Sequence, residues 1–345
     1  MQTLIGWDIG GAHLKGARAE NGRITRAVSI ACPLWQGLDQ LDLAFAQARA
    51  ALGEAPVHAV TMTGELCDAF GSRDAGVTGL AARAAQEFFG ADIKLYAGRA
   101  GFVPLHDASA YASNIASANW HATAALLALH QPQAILIDMG STTTDLIPIL
   151  AGKVAARGHS DATRAENGEL LYTGLVRSFV MALADRAPFD GKWTVLMNEY
   201  FASSADVHRI LGQLPDGADV MATADGREKT IAASTARLAR MIGRDADEAP
   251  QAAWNSLAAW FAEAQMAKML DAAHLVASRH DLPATAPVIC AGIGRAVVRQ
   301  LAGRLGRAAI DFDTLVDVDP EARAAASDCA PAVAVALLLS AQGEA

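Results

Sequence analysis

The chain has 345 residues, enough for two domains, and 52% of them are hydrophobic, which fills both cores and excludes a disordered protein. Lys and Arg number 28 against 37 Asp and Glu, and the resulting charge of -9 excludes a protein that coats nucleic acid or an anionic membrane. The opening MQTLIGWDIGG lacks the basic-then-apolar pattern of a signal peptide, and the longest apolar run, 330–341, is too short for a bilayer, so a cytoplasmic protein is expected.

Residues 4–9 read as a short buried strand, Gly10-Gly11 as a turn, and HLKGARAE and RITRAVSIA as two further strands broken at Asn21-Gly22, a strong hairpin signal. A helix is predicted at about 38–52, then the strand VHAVTMTG, the helix GLAARAAQEFF, the strand IKLYAG and a long alanine-rich helix at about 109–130. The second half starts again with a strand, QAILIDMG. TTTDLIPIL follows as a strand, because β-branched threonines favour the pleat and Pro148 would break a helix, and VAARG follows after Gly152-Lys153. Beyond it the chain reads as helical, with a long segment at about 250–280, up to the buried strand APVICAGIG, the helix RAVVRQLAGRLG and a last buried helix at about 329–341. Cys32, Cys67, Cys290 and Cys329 are scattered singly, without metal or disulfide spacing, and read as buried thiols.

The two halves open alike. Asp8 matches Asp138, Gly10 matches Gly140 and Lys15 matches Asp145 at one constant offset, an internal duplication of a three-strand meander with a glycine-rich first turn. Such a turn admits a ligand close to the backbone and can gather N–H groups into an anion nest, to which Ser141, Thr142, Thr143 and Thr144 add hydroxyls. Carboxylates beside such a nest repel bare phosphate, so Asp8, Asp138 and Asp145 fit a divalent cation, Mg²⁺, lying between them and the phosphate. Lys15 supplies a direct positive charge. These glycines lead into strands, which excludes a P-loop or a dinucleotide-binding fingerprint.

GWDIGGAHLK resembles the first phosphate loop, DMGSTTTD the second, and VICAGIGRAV the adenosine-type loop, with Gly292 and Gly294, of the actin, sugar kinase and Hsp70 (ASKHA) superfamily. DMGSTTTDL is most similar to its hydantoinase/oxoprolinase branch. TMTGELCDAF, ANWHATA, GELLYTGLVRS, NEYFASSADVHRILG and DCAPAVAVALLL resemble a group linked to tetrahydromethanopterin-dependent one-carbon metabolism, which includes the enzyme forming the furan-phenol ether of methanofuran or methylofuran. Where that group tends to read Arg-Thr-Pro, this chain has Arg177-Ser178-Phe179.

The resemblance implies an α/β, actin-like and ribonuclease H-like fold with duplicated βββαβαβα cores and a cleft between them. Domain 1 would be 1–130; domain 2, 131–345, would carry a helical insertion at about 165–280, and its last helix would pack back on domain 1. It also implies a transferase joining an (aminomethylfuryl)methyl diphosphate to the phenol oxygen of a γ-glutamyl-tyramine or tyrosine unit, with release of pyrophosphate and without ATP. Asp8, Asp138 and Asp145 would hold Mg²⁺. Lys15, Thr142 and Thr143, with Gly10, Gly11, His13, Gly140, Ser141, Gly292 and Gly294, would surround the diphosphate. Glu65, Asp68 and His13 are the candidate bases, Glu65 and Asp68 reading equally well as helix caps. Tyr172, Thr173, Gly174 and Arg177 would face substrate, as would Asn114. Asn119 and Trp120 read as packing residues, and Ser204 or Asp206 as a helix start. Partners are small molecules, with association into a homo-oligomer left open. Two other readings remain: an ATP-dependent amidohydrolase or small-molecule kinase, and a non-enzymatic nucleotide switch.

Overall fold

The computed structural model describes residues 2–279 and 281–343. The strands β1 (Thr3–Ile9), β2 (His13–Glu20), β3 (Arg23–Ala31), β4 (Val57–Met62), β5 (Asp92–Tyr96) and β6 (Phe102–Pro104) form one sheet in the order β3-β2-β1-β4-β5-β6. β1 is antiparallel to β2 and parallel to β4, which is parallel to β5. The expected break at Asn21-Gly22 is a two-residue turn with φ of 50° and 78°. Glu20 faces Arg23 across it, and Asn-Gly accepts the left-handed pair that matches the twist of the strands.

Helices α1 (Asp39–Leu52) and α2 (Arg73–Glu87) share a core with this sheet, in which Trp7, Ile9, Phe45 and Leu80 meet. Ser72 caps α2 by accepting from the Ala75 amide at 3.2 Å. The indole N–H of Trp7 donates to Nδ1 of His58 at 3.0 Å, and Phe88 stacks on that imidazole at 3.9 Å. The single helix expected at 109–130 is two helices, α3 (Ala112–Ile115) and α4 (Asn119–His130). Between them Ser117 adopts φ 50°, which no α-helix accommodates.

The second half begins with β7 (Ala134–Met139) and β8 (Thr144–Leu150), as expected, but its third strand, β9 (Lys153–Val154), has two residues, placed by the left-handed turn Ala151-Gly152. Then come α5 (Asp161–Glu166), β10 (Leu170–Leu171), α6 (Val180–Leu183), β11 (Arg186–Phe189) and β12 (Lys192–Val195). The region expected to be purely helical thus contains a β11–β12 hairpin, turned at Asp190-Gly191 with φ of 49° and 70°. The chain continues through α7 (Ser204–Ile210), α8 (Ile231–Arg240), α9 (Gln251–Ala277), β13 (Val288–Ala291), α10 (Arg295–Arg304), β14 (Ala309–Asp311), α11 (Arg323–Asp328) and α12 (Ala330–Gln342). The second sheet runs β10-β8-β7-β13-β14, with β9 on β8.

The chain forms two compact units: Met1–Leu136 with Ile147–Asp161 and Ile310–Ala345, and Ile137–Leu146 with Ala162–Ala309. In the first, α12 lies against β1 so closely that a Cβ on Gly6 would stand 2.8 Å from the Ala336 nitrogen. The Ile24 amide of β3 also donates to the Asp317 carbonyl at 2.9 Å. In the second unit, Val180, Phe189, Trp254, Leu257 and Phe261 share a core. There Asp206 closes a capping box with Ser203, the residue that caps α7, and Asp206 also accepts from Arg237 Nε at 2.9 Å and Ser234 Oγ at 2.8 Å. Asp206 is therefore a buried structural ion. Among the described residues no single helix is long and apolar enough to cross a membrane.

Candidate functional site

The duplication extends to hydrogen bonds. The Gly10 amide donates to the His13 carbonyl at 2.9 Å, and the Gly140 amide donates to the Thr143 carbonyl at 2.9 Å. In the first unit Asp8 is 3% exposed and faces Lys15 across the β1–β2 pair. His13, half-buried, closes that turn. A Cβ on Gly10 would press on the His13 carbonyl at 2.8 Å, whereas one on Gly11 would stand in open space.

In the second unit three segments converge at the end of β7. Gly292 has φ 80°, and a Cβ there would collide with Asp138 Oδ1 and the Met139 carbonyl. The Gly294 amide donates to the same carbonyl at 2.9 Å, so the third glycine turn docks beside Asp138. On the other segment, the Leu175 amide donates to the Gly140 carbonyl at 3.0 Å and the Arg177 amide to Ser141 at 2.8 Å. A Cβ on Gly174 would come within 2.6 Å of the Ser141 and Thr142 backbone, and Arg177 Nη1 donates to Thr142 Oγ1 at 3.5 Å. The structure thus joins Gly140, Ser141 and Thr142 to Thr173, Gly174 and Arg177. Burial holds the Arg177 guanidinium below its usual range. Thr143 is half-buried beside them, and Tyr172 is 70% exposed.

Two expected donor or ligand groups have protein partners. The Thr144 hydroxyl donates to the Thr173 carbonyl at 2.6 Å, and the Asp145 carboxylate is ion-paired with the buried Arg164. The sequence displays the carboxylate without its counter-ion. Gln265 of α9 supports the site from behind: its Nε2 donates to Thr173 Oγ1 and to the Gly174 carbonyl, both at 2.8 Å, and its Oε1 lies 2.9 Å from His208 Nε2.

The candidate bases differ sharply. Asp68 is exposed, while Glu65 is 1% exposed. Neither caps a helix; Ser72 does. Ser117 Oγ donates to Glu65 Oε1 at 2.6 Å, and Arg73 reaches Ser117 at 3.3 Å and Asp161 at 2.7 Å. Glu65 Oε2 is buried and makes no hydrogen bond among the described residues. Burial pushes the Glu65 carboxyl above its usual range, against the opposing pull of the Ser117 hydroxyl and the Arg73 charge. Asn114 is exposed, Trp120 is buried, and Asn119 Oδ1 accepts from the Trp120 amide at 2.7 Å, a local role.

Among the described residues no three His, Cys, Asp or Glu side chains form a metal cage. With Asp145 held by Arg164, the donor set fits Mg²⁺ bound through one or two carboxylates and completed by substrate phosphate and water, the usual habit of that ion. Within each unit a single carboxylate, Asp8 in the first and Asp138 in the second, is the group that would hold it.

The sequence profile of the hydantoinase/oxoprolinase family matches residues 57–340. The chain belongs to the hydantoinase/oxoprolinase family. It is similar to the (4-{4-[2-(gamma-L-glutamylamino)ethyl]phenoxymethyl}furan-2-yl)methanamine synthase of Methanocaldococcus jannaschii, 32% identical over 243 residues, which cover 70% of this chain and 72% of that one. The synthase of the same name from Methanococcus vannielii is 36% identical over 114 residues, covering 33% of this chain and 51% of that one. The structure superposes on nucleotide-free acetone carboxylase with a TM-score of 0.59 at 10% identity, over 97% of this chain and 70% of that one. Component A of (R)-2-hydroxyglutaryl-CoA dehydratase from Acidaminococcus fermentans gives 0.50 at 10% identity over both full chains. The hydantoinase/oxoprolinase chain therefore has the actin-like α/β fold, and its sequence kinship is with enzymes.

Proposed function

We propose that this enzyme acts in the synthesis of a methanofuran-type cofactor, condensing an (aminomethylfuryl)methyl diphosphate with the phenol oxygen of a γ-glutamyl-tyramine-type acceptor. The observation that carries this reading is the kinship over 70% of the chain with a synthase whose name specifies a phenoxymethyl-furan product. The glycine turns lend it chemical sense. A furfuryl carbon stabilises positive charge, so its bond to the diphosphate oxygen breaks once the charge on the leaving group is balanced. Pyrophosphate departs with the electron pair, the phenol oxygen bonds to that carbon, and the phenol proton passes to a base.

Thr142 and Arg177 bind and orient the diphosphate at the second glycine turn. Mg²⁺ held by Asp138 would supply further positive charge for the leaving group. In the first unit Glu65 is the group suited to take the proton: burial raises its carboxyl above its usual range, and its Oε2, without a hydrogen bond among the described residues, is an acceptor that a protic substrate group would satisfy.

The test is one incubation of the pure protein with Mg²⁺, the furan diphosphate and γ-glutamyl-tyramine, without ATP, followed by mass detection of ether and pyrophosphate. Both products are expected, and Asp138→Asn should abolish them. No ether from the wild-type protein would overturn the reading. The family name favours a second reading, ATP-driven cleavage of a cyclic amide, which ATP turnover stimulated by 5-oxoproline would support.

A further inference from the structure

Beyond Arg177 the chain presents two aromatic rings that no step of the proposed chemistry uses. Phe179 and Tyr200 lie with ring centroids 4.3 Å apart at 39°, and each is about two-fifths exposed, at 41% and 40%. The backbone at Phe179 is pinned. Phe179 bridges Ser203, the Val180 amide donates to the Ala202 carbonyl at 3.1 Å, and the Ser204 amide to the Ser178 carbonyl at 2.7 Å. Behind them, Ser178 Oγ accepts from the Gly174 amide at 2.8 Å and donates to the Gly174 carbonyl at 3.1 Å. The segment that carries Phe179 is thus tied to Gly174 and to the start of α7.

That segment adjoins the second glycine turn. Two residues before Phe179, the Arg177 amide is bonded to Ser141 and its guanidinium to Thr142. An exposed pair of tilted aromatic rings therefore follows, within two residues, a half-buried cation on the turn assigned to diphosphate. The ligand such a pair recognises is a planar aryl group carrying an ionisable oxygen: the ring stacks on Phe179 and Tyr200, and the oxygen lies toward Arg177.

We infer that Phe179 and Tyr200 form the aryl subsite that holds the ring of the phenolic acceptor beside the second glycine turn. This rests on the function proposed above, for which the acceptor must be a phenol. It adds the residues that choose an aryl acceptor over an aliphatic one.

Equilibrium binding separates the two claims, because it needs no turnover. Tyramine, phenethylamine and an aliphatic amine, hexylamine, are titrated against the full-length protein and against Phe179→Leu and Tyr200→Leu, which keep apolar bulk but remove the ring. Mg²⁺-pyrophosphate is titrated in parallel. Wild-type protein should bind tyramine best and hexylamine worst. Each variant should lose about fivefold in tyramine affinity, the size of one aromatic contact, with pyrophosphate affinity unchanged. Equal binding of tyramine and hexylamine by the wild type, or undiminished tyramine binding in both variants, overturns the subsite while leaving ether synthesis standing. Selective loss of tyramine binding in a protein that forms no ether would keep the subsite and sink the reaction. If a leucine variant fails to fold, Phe179→Tyr and Tyr200→Phe, which retain the rings, should keep tyramine affinity; loss of affinity in those folded variants also overturns the subsite.

Discussion

Ser117 donates its hydroxyl to Glu65 Oε1 at 2.6 Å, from a backbone conformation, φ 50°, that interrupts two helices to put it there. The contact holds one carboxylate oxygen and leaves the other without a hydrogen bond among the described residues.

Glu65→Gln should lower ether formation by about 100-fold, the lower end of what a positioned base contributes. A second readout is stability against pH. The folded state raises the Glu65 pKa, so its contribution is complete below the ordinary carboxylate range and is lost as pH rises through the folded value. Thermal melts should show the wild type losing ground on that rise and the glutamine variant losing less. Identical melt profiles would remove the stability effect, and undiminished ether formation would remove Glu65 as the base.

Gly292→Ala should be costly and Gly294→Ala milder. Gly292 has φ 80° and faces Asp138 Oδ1 and the Met139 carbonyl; the left-handed backbone alone penalises alanine by about 1–2 kcal/mol. At Gly294 no left-handed backbone is required, and the obstacle is the Met139 side chain, whose sulfur can turn aside although its Cβ, 2.8 Å from an added Cβ, cannot. Urea midpoints and Mg²⁺-pyrophosphate affinity should both fall further in the first variant.

Gln265→Leu should loosen the segment that buttresses Ser141. It deprives Thr173 Oγ1, the Gly174 carbonyl and His208 of a buried partner at once, a loss of about 1–3 kcal/mol. Chemical denaturation measures the loss. Hydrogen exchange should locate it at the Leu175 and Arg177 amides, which donate to Gly140 and Ser141.

His58 should make the protein acid-sensitive. Burial pushes its imidazole from 6.5 down to about 4, while Trp7 donates to its Nδ1. Stability is therefore complete above the ordinary value and is lost as pH falls from there toward 4, by roughly 3 kcal/mol from this residue. His121, likewise held at about 4 by burial, acts in the same direction. His58→Phe should shrink the acid limb of a stability profile at the expense of the Trp7 hydrogen bond.

Much of this architecture is legible in the letters. Asn21-Gly22 announces its hairpin, the constant offset from Asp8 to Asp138 announces the repeated turn, and Pro148 excludes a helix where β8 runs. The Asp190-Gly191 turn carries the same local signal as Asn21-Gly22, yet its flanking strands have four residues each and are surrounded by helical sequence, so the pattern there is too short to stand out. The partners of the site's charged groups are less visible. Arg164 is 19 residues from Asp145 and Ser117 is 52 from Glu65, and neither separation leaves a periodic trace. Ser117 is further masked by alanines that favour helix on both sides, where tertiary hydrogen bonding overrides propensity.

At Gly6, where α12 presses directly on β1, the order of synthesis acquires a meaning. The strand leaves the ribosome early, and the helix that shields its apolar surface emerges long afterwards. Until then the N-terminal sheet has one naked side, and the nascent chain is exposed to sticking to its neighbours. A chaperone engaging the growing polypeptide should release it only once the segment around Ala332 and Ala336 has appeared.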